Sequence, residues 1–487
     1  MDKDLTGLLS KLSDILTPQQ RPAYVVGGFV RDWLLGKQTV DVDIAVKGDA
    51  LKTARQIAQS VDGKFFVLDQ INKVSRVIVS AQKQWHLDFT SFQGNIETDL
   101  ARRDFTINAM AFELDAVIAG PPEPIDPLSG RKDLKKRQIS AVSGQIFRAD
   151  AARLLRAVRI AAELKFMIEP ETELLIKRDC QLAALVPGER IREELVKAIA
   201  LPGASALVRY MNSLGLLTAI IPELDNLKGV EQPKEHYWDV FNHSVETIAA
   251  VEFLLREGKW RYGKKSLLSV TPWSEDVKSH FEEEVSSGTD RKLLLKIGAL
   301  MHDIAKPATK AMDETGRTRF LGHPKEGSII AAKVLERLRF SSKEIRLVEN
   351  LVYHHLRPAQ MSNEGLPTKR AVFRFFRDTE GAGIDALFLA LADYLATHGP
   401  ELDIREWKHH NHVITFIVKE HLHQENKVLP VKIIDGNDLV TIFGLKPGRL
   451  LGELLKEVKE AQAAQELSTR EQALDLVKKE LEKRQRG

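Results

Sequence analysis

The chain has 487 residues, 43% of them hydrophobic, and a formal net charge of only +3, which is material for roughly three domains of ~150 residues each. A single cysteine, Cys180, excludes an intramolecular disulfide and a cysteine-based zinc cluster, so a reducing, cytoplasmic setting is expected and any metal must be held by oxygen or imidazole. The opening "MDKDLTGLLSKLSDIL" lacks the basic start and unbroken apolar stretch of an export signal, and the most apolar run, "IDALFLALADYLA", is interrupted by Asp385 and Asp393, so no membrane span is expected.

Residues 20 to 120 mix short strand-like runs ("AYVVGG", "VDVDIAV", "RVIVSA", "WHLDFTSF", "INAMAFEL") with Gly, Asn and Asp turns and intervening helical stretches, which predicts an α/β domain. The Pro-rich "GPPEPIDPLSG" at 120 to 130 closes it. Residues 131 to 160 then carry nine Lys or Arg against two Asp, a local excess that draws polyanions where the average charge does not; a solvated helix face is the alternative. From "FRADAARLLRAVRIAAELKF" onward the apolar spacing is helical almost throughout, except that 260 to 290, polar and bearing Pro and Gly, reads as an inserted loop.

Within "TVDVDIAVKG", Asp41 and Asp43 stand two apart in a β-branched run. On a strand, residues i and i+2 share a face about 6.5 Å apart, with Val40, Val42 and Ile44 turned to the core. Two carboxylates on one face of a buried strand repel unless a cation lies between them, and Mg²⁺ takes one or two carboxylates together with phosphate oxygens; a solvated edge strand is the alternative. Upstream, "AYVVGGFVRDWLLG" is a strand, a glycine pair (Gly27, Gly28) and a helix start, an arrangement whose bare N–H groups receive phosphate, with Arg31 one turn in adding charge, unless it is only a turn. Downstream, Asp88 in "WHLDFTSF" is a third acid, placed where two-metal phosphoryl transfer uses one, or else a polar residue near a turn.

"ARRDFTINAMAF" (101 to 112), with "GGFVRD" and "DVD" before it and "DPLSGRKDLKKRQI", "RADAARLLRAVRIAAELKF" and "GERIREEL" after it, resembles the class II polymerase-β-like nucleotidyltransferases, the tRNA CCA-adding enzymes and bacterial poly(A) polymerases. The resemblance runs from residue 23 to about 200, and "IIDGNDLVTIFGLKPGRLLGELLKEV" (433 to 458) looks like the family's tail. It implies that Gly27, Gly28 and Arg31 contact the triphosphate, that Asp41 and Asp43 hold Mg²⁺, and that Arg103, Asp104 and Asn108 hold the nucleotide's sugar and phosphates; Asp41, Asp43 and Asp88 are the expected catalytic acids. It also implies a protein template reading the base of CTP or ATP, here "ADAAR": Asp150 and Arg153 are present, but Ala149 stands where the family has an acid. An Asp accepts from the exocyclic amine of C or A and an Arg donates to the adjacent ring acceptor. Arg156 and Arg159 continue the stripe at helical spacing, suited to nucleotide and tRNA phosphates.

The histidines of the helical half resemble those of an HD-type metal phosphohydrolase: "DVFNHSVET" (His243), "LMHDIAKP" (His302, Asp303), "FLGHPKEGS" (His323), "VYHHLRP" (His354, His355) and "LADYLA" (Asp393). The resemblance implies a mononuclear site of His243, His302, Asp303 and Asp393, extended by His323 and His354, for a divalent transition metal or Mg²⁺; only one of the adjacent pair His354 and His355 can face it. The expected fold is α+β and multidomain: a polymerase-β-like head with a small mixed sheet at 1–139, a helical nucleotide- and RNA-binding neck at 140–230, an HD domain at 231–400 and a helical, tRNA-binding tail at 401–487. The expected activity is template-independent addition of C and/or A to the 3′ end of tRNA. The rivals are an A-adding or poly(A) polymerase acting on another RNA 3′ end, and an HD phosphohydrolase whose N-terminal half only binds RNA.

Overall fold

A computed structural model describes residues 3–19, 21–71, 73–80, 83–120, 122–361, 365–425, 433–464 and 466–486. The chain divides into two compact units, 1–198 with 211–220, and 199–210 with 221–487.

The first unit is built on a six-stranded sheet: β1 (Ala23–Val26), β2 (Asp41–Lys47), β3 (Lys64–Asp69), β4 (Val74–Ser80), β5 (Gln84–Phe92) and β6 (Ala111–Glu113), in the order β3-β4-β5-β2-β1-β6. Every neighbouring pair is antiparallel except β2 and β5, which run parallel. In β2 the apolar positions Val42, Ile44, Ala45 and Val46 are buried, but Val40 precedes the strand and stays 37% exposed, against the expectation that it faces the core. The β3 run "KFFVLD" was not among the expected strands; it forms the sheet edge, with Phe66, Val67 and Leu68 exposed. "INAMAFEL" resolves into a 3₁₀ turn, Thr106–Asn108, and the short β6. Helix α1 (Lys3–Leu16) buries Leu5, Leu8, Leu9, Leu12 and Leu16, a 3–4 spacing that makes one apolar face.

The "DPLSG" segment is a brace. Asp126 accepts from the Gly130 and Arg131 N–H groups at 2.6 and 3.0 Å, and Thr106 Oγ1 donates to Asp133 Oδ2 at 2.6 Å. A Cβ at Gly130 would lie 2.2 Å from the Thr106 carbonyl oxygen, so only glycine permits this approach.

The second unit is mainly helical. Helices Val240–Leu254, Arg291–Met301, His323–Arg337, Ser342–His354 and Gly383–His398 pack on one another. Residues 260–290 are more ordered than the expected loop: they hold a 3₁₀ segment (Lys265–Val270), a helix (Glu275–Glu282) and a hairpin of Glu284–Ser286 with Thr289–Asp290, anchored by the buried Trp260 and Phe281. Nearer the C-terminus, helices Gly436–Phe443, Arg449–Ala463 and Arg470–Arg486 contribute Leu439, Leu454, Val458 and Val477 to a small separate core. No helix among the described residues is long and apolar enough to cross a membrane.

Candidate active site and metal centre

Gly27 follows β1 with φ +70° and caps the helix Gly28–Leu34, which starts immediately after it. The Gly28 N–H donates to Asp43 Oδ2 at 3.3 Å. A Cβ at Gly27 would meet that oxygen at 2.7 Å and Arg103 Nη1 at 3.1 Å, so the turn lies against the strand acid because it has no side chain. Register places Asp43 opposite Asp88 and Asp41 opposite His86 on the parallel pair, which brings the two acids two apart on β2 beside the third on β5. Burial, ahead of the partly offsetting Arg103 and the like-charged Asp88, pushes the Asp43 carboxyl above its usual value. Asp88 takes a two-pronged ion pair from Arg76 at 2.7 Å, while Asp41 is 65% exposed and meets His86 Nδ1 at 3.0 Å.

Of these acids Asp43 lines a cleft of about 400 Å³, together with Gly27, Gly28, Arg31, Arg103, Asn108, Asp150, Arg153 and Arg190; Asp41 and Asp88 are not in its lining. Arg31 is held by Asp32 at 2.9 Å and donates to Asn108 Oδ1 at 3.0 Å. Asp104 is buried, accepts from the Phe105 N–H at 2.8 Å and Asn108 Nδ2 at 3.1 Å, and pairs with Arg156 at 2.9 Å. Burial alone would raise its carboxyl; Arg156 and these donors outweigh burial and hold it below the usual range. The arginine stripe is therefore less open to phosphate than expected. Arg153 donates to the Arg102 and Arg103 carbonyls at 2.9 and 3.3 Å, and Arg159 bonds Glu194 and Glu163, both at 2.5 Å. Asp150 is bonded by Arg190 Nη2 at 2.8 Å, and Arg153 Nε lies 3.9 Å from it.

In the second unit two sets of ligand atoms converge, each within 4.8 Å: His243, His302 and Asp393, and Asp303, His323 and His355. The expected His354 is not among them; its ring packs edge-on against Tyr353, and the next residue turns into the centre instead. The Nδ1 atoms of His302, His323 and His355 sit 2.9, 2.7 and 2.7 Å from the backbone carbonyls of Ala299, Phe320 and Val352. Those contacts fix the tautomer and leave the Nε2 lone pairs pointing inward. His323 and His355 then face each other Nε2 to Nε2 at 3.3 Å, and His243 and His302 at 3.2 Å, approaches that a shared cation stabilises. Burial, followed by the charge of His302, pushes His355 down to about 3, so it is a neutral ligand at any ordinary pH. Asp303 is buried and held well below the usual carboxylate range, because His302 and Lys306, whose Nζ is 2.6 Å away, outweigh its burial. Imidazole and carboxylate donors in this proportion suit a divalent cation.

Family models match the chain in order: the poly A polymerase head domain over residues 23–140, the probable RNA and SrmB-binding site of polymerase A over 165–228, the HD domain over 240–398, and the putative tRNA nucleotidyltransferase domain 2 over 402–477. The A-adding tRNA nucleotidyltransferase of Deinococcus radiodurans is 32% identical over 470 residues, 95% of this chain and 96% of that protein. The chain belongs to the class II tRNA nucleotidyltransferase family. The CC-adding tRNA nucleotidyltransferase of Thermus thermophilus is also 32% identical, over 93% of this chain and 92% of its own. Among solved structures, the Thermotoga maritima CCA-adding enzyme complexed with tRNA superposes with a TM-score of 0.60 at 23% identity, covering 99% of this chain and 96% of that one. A CCA-adding enzyme with CTP gives 0.64 at 21%, covering 99% and 95%. These two likenesses speak to the fold.

The family's head and HD domain are thus both present in one chain that is an enzyme of nucleotidyl transfer to tRNA. Reading the sequence did not single out Arg190, Lys306 or Arg76. The first lies in "GERIREEL", noticed only as a motif; Lys306 follows "HDIA" by one position, a spacing that puts it one turn beyond Asp303; Arg76 carried no signal, since its partner Asp88 sits opposite it on the neighbouring strand and is met only once β4 and β5 pair.

Proposed function

We propose that this chain transfers nucleoside monophosphate from CTP and/or ATP to the 3′ end of tRNA, and that its HD domain is a metal-dependent phosphohydrolase. What carries the first part is the buried Asp43 carboxylate, which takes a hydrogen bond from the Gly28 N–H and lines the same cleft as Arg31 and Arg103. Asp41 and Asp43 would hold Mg²⁺, with Asp88 beside them. Like-charged carboxylates side by side on a sheet, one of them raised by burial, fit a hard divalent cation. When bound, Mg²⁺ supplies charge neutralisation on the phosphates and acidifies the attacking hydroxyl.

The remaining work falls to side chains. Gly28 N–H, Arg31 and Arg103 bind and orient the triphosphate, and stabilise charge as pyrophosphate leaves. Asp104 and Asn108 position Arg156 and Arg31. Asp150, kept ionised against its partial burial by Arg190, accepts from the exocyclic amine shared by C and A, and Arg153 donates to the neighbouring ring acceptor. Because Ala149 replaces an acid at this template, and because relatives that add A and relatives that add CC are equally similar, the pair reads C and A without choosing one. The functional divisions at 1–139, 140–230, 231–400 and 401–487 draw support from family matches that fall one to each division, apart from a one-residue overrun at 140.

The test supplies full-length protein with tRNA lacking C, CC or CCA and a single labelled nucleotide, with and without Asp43→Ala. Incorporation of C or A that Asp43→Ala abolishes is the expected result. Addition of A alone, to RNA of any kind, overturns the tRNA reading in favour of a poly(A) polymerase. Activity that survives Asp43→Ala overturns the catalytic assignment.

A further inference from the structure

Strand β3, Lys64–Asp69, ends the sheet, with only β4 beside it. Its two faces are set by register with β4, where Lys64, Phe66 and Asp69 stand opposite Ile78, Arg76 and Val74, and a bulge intervenes between Val67 and Asp69. Val74, Arg76 and Ile78 alternate along β4 and so share one face of the sheet, the face on which Arg76 meets Asp88. Without the bulge Asp69 would point away from Lys64 and Phe66; with it, all three project together. Phe65 and Val67 take the other face, where Arg55 of the helix Ala50–Ser60 lies over the Phe65 ring at 5.1 Å.

The direction of the backbone groups follows from the same ladder. The His86 N–H donates to the Val40 carbonyl at 2.9 Å, on the β2 side of β5. Successive residues of a strand send their N–H and C=O groups to opposite sides. Counting outward through β5 and β4 therefore turns those groups of Phe65 and Val67 away from β4, to the open edge. The edge is also apolar, with Phe66, Val67 and Leu68 exposed by 46, 39 and 52%. Edge strands of soluble proteins are ordinarily blunted by charge, proline or a covering element. Here the charges stand only at the two ends, Lys64 at one and Asp69 at the other, and they are of opposite sign.

We propose that this edge joins a second copy of the chain, β3 against β3 in antiparallel pairing about a two-fold axis at Phe66. In that register Phe65 and Val67 of one copy exchange N–H and C=O bonds with Val67 and Phe65 of the other. The two Phe66 rings meet at the axis, on a non-hydrogen-bonded pair, where side chains approach most closely. Lys64 of each copy reaches Asp69 of the other on the same face. The charge pattern selects this occupant: antiparallel self-pairing brings unlike charges together at both ends, whereas parallel pairing would set like against like.

The test is sedimentation equilibrium of the full-length protein from ~1 µM to ~1 mM, the range in which an interface smaller than the ~1,200 Å² of stable complexes populates. Wild type is expected to double in mass across that range. Val67→Pro, which removes an outward N–H and no bond to β4, is expected to stay monomeric. Lys64→Glu and Asp69→Lys each set like charges together at both ends, so each alone is expected to associate ~10-fold or more weakly. An equimolar mixture of the two is expected to recover wild-type association, because unlike charges then meet again. Since Asp69 Oδ1 also accepts the Ile71 N–H at 2.9 Å, thermal melts establish that Asp69→Lys is folded, and Lys64→Glu with Val67→Pro carries the reading if it is not. Wild type that stays monomeric throughout overturns the proposal. Association that Val67→Pro and Lys64→Glu leave unchanged overturns it as well, since another face then holds the copies. So does a mixture that associates no better than its folded components, because the ends of β3 would then not meet.

Discussion

At Asp104, three polar groups meet around one buried carboxylate: the Phe105 N–H, the Asn108 amide and the Arg156 guanidinium are all within 3.1 Å. Because its folded-state value lies below the usual one, its stabilising contribution is present above the unfolded-state value of ~3.9 and is lost as pH falls through the lower folded value. Asp104→Asn is therefore expected to destabilise the protein by about 1–3 kcal/mol near pH 7, the cost of mismatched buried partners, with the gap to wild type closing as the pH drops below about 4. Urea melts at the two pH values check this. Most residues of this site were legible in the sequence because the motifs preserve their spacing: Gly27, Asp43, Arg103 and Asn108 all reach one cleft. The choice between His354 and His355 was not. The helix ends at His354 and His355 is its C-cap, and at a helix end the phase that decides which neighbour points inward is set by the following turn, not by periodicity.

The brace made by Gly130 is an element-scale device, since it presses the start of the Gly130–Lys136 helix onto the 3₁₀ turn that carries Thr106 and Asn108. Adding one methyl there forces two backbones apart. Gly130→Ala is expected to cost about 1–3 kcal/mol through overpacking and to reduce nucleotide incorporation along with stability, because Asn108, which bonds Arg31, moves with the turn. Thermal melts and labelled-nucleotide incorporation on the same preparation check both. The strands that alternate, such as "RVIVSA", were legible for the ordinary reason that one face is buried and the other is not. The edge strand β3 escaped because its burial does not alternate, leaving no period to read. Residues 260–290 escaped because a few buried anchors, Trp260 and Phe281 among them, are scattered through polar sequence.

On the scale of the whole molecule, the acid cluster of the head and the His/Asp clusters of the HD domain lie in separate compact units, and variants should separate what each does. His355→Ala is expected to remove the rise in melting temperature produced by Mn²⁺ or Ni²⁺, a rise worth ~2.7 kcal/mol when metal is at 100 times its Kd, and to leave nucleotide incorporation intact; Asp43→Ala does the reverse, and His354→Ala changes neither. Calorimetry with and without metal, beside the incorporation assay, measures all three. The order of motifs made the domain sequence legible from end to end. Pairings such as Arg190 with Asp150, 40 residues apart, were not, since they exist only after helices dock.

The parallel junction of β2 and β5 has a bearing on how the chain reaches its native state. β3, β4 and β5 form one antiparallel ribbon and β6, β1 and β2 another, and the two are sewn together only along the line where Asp43 meets Asp88. That stitch closes a long loop before it returns any contact, and it brings like charges together as it closes. Arg76, already paired with Asp88 inside the first ribbon, disarms half of that repulsion before the ribbons meet. A growing chain thus holds no assembled acid cluster until β5 has left the ribosome, and the cleft beside it closes only after Arg103, Asn108, Asp150, Arg153 and Arg190 have followed.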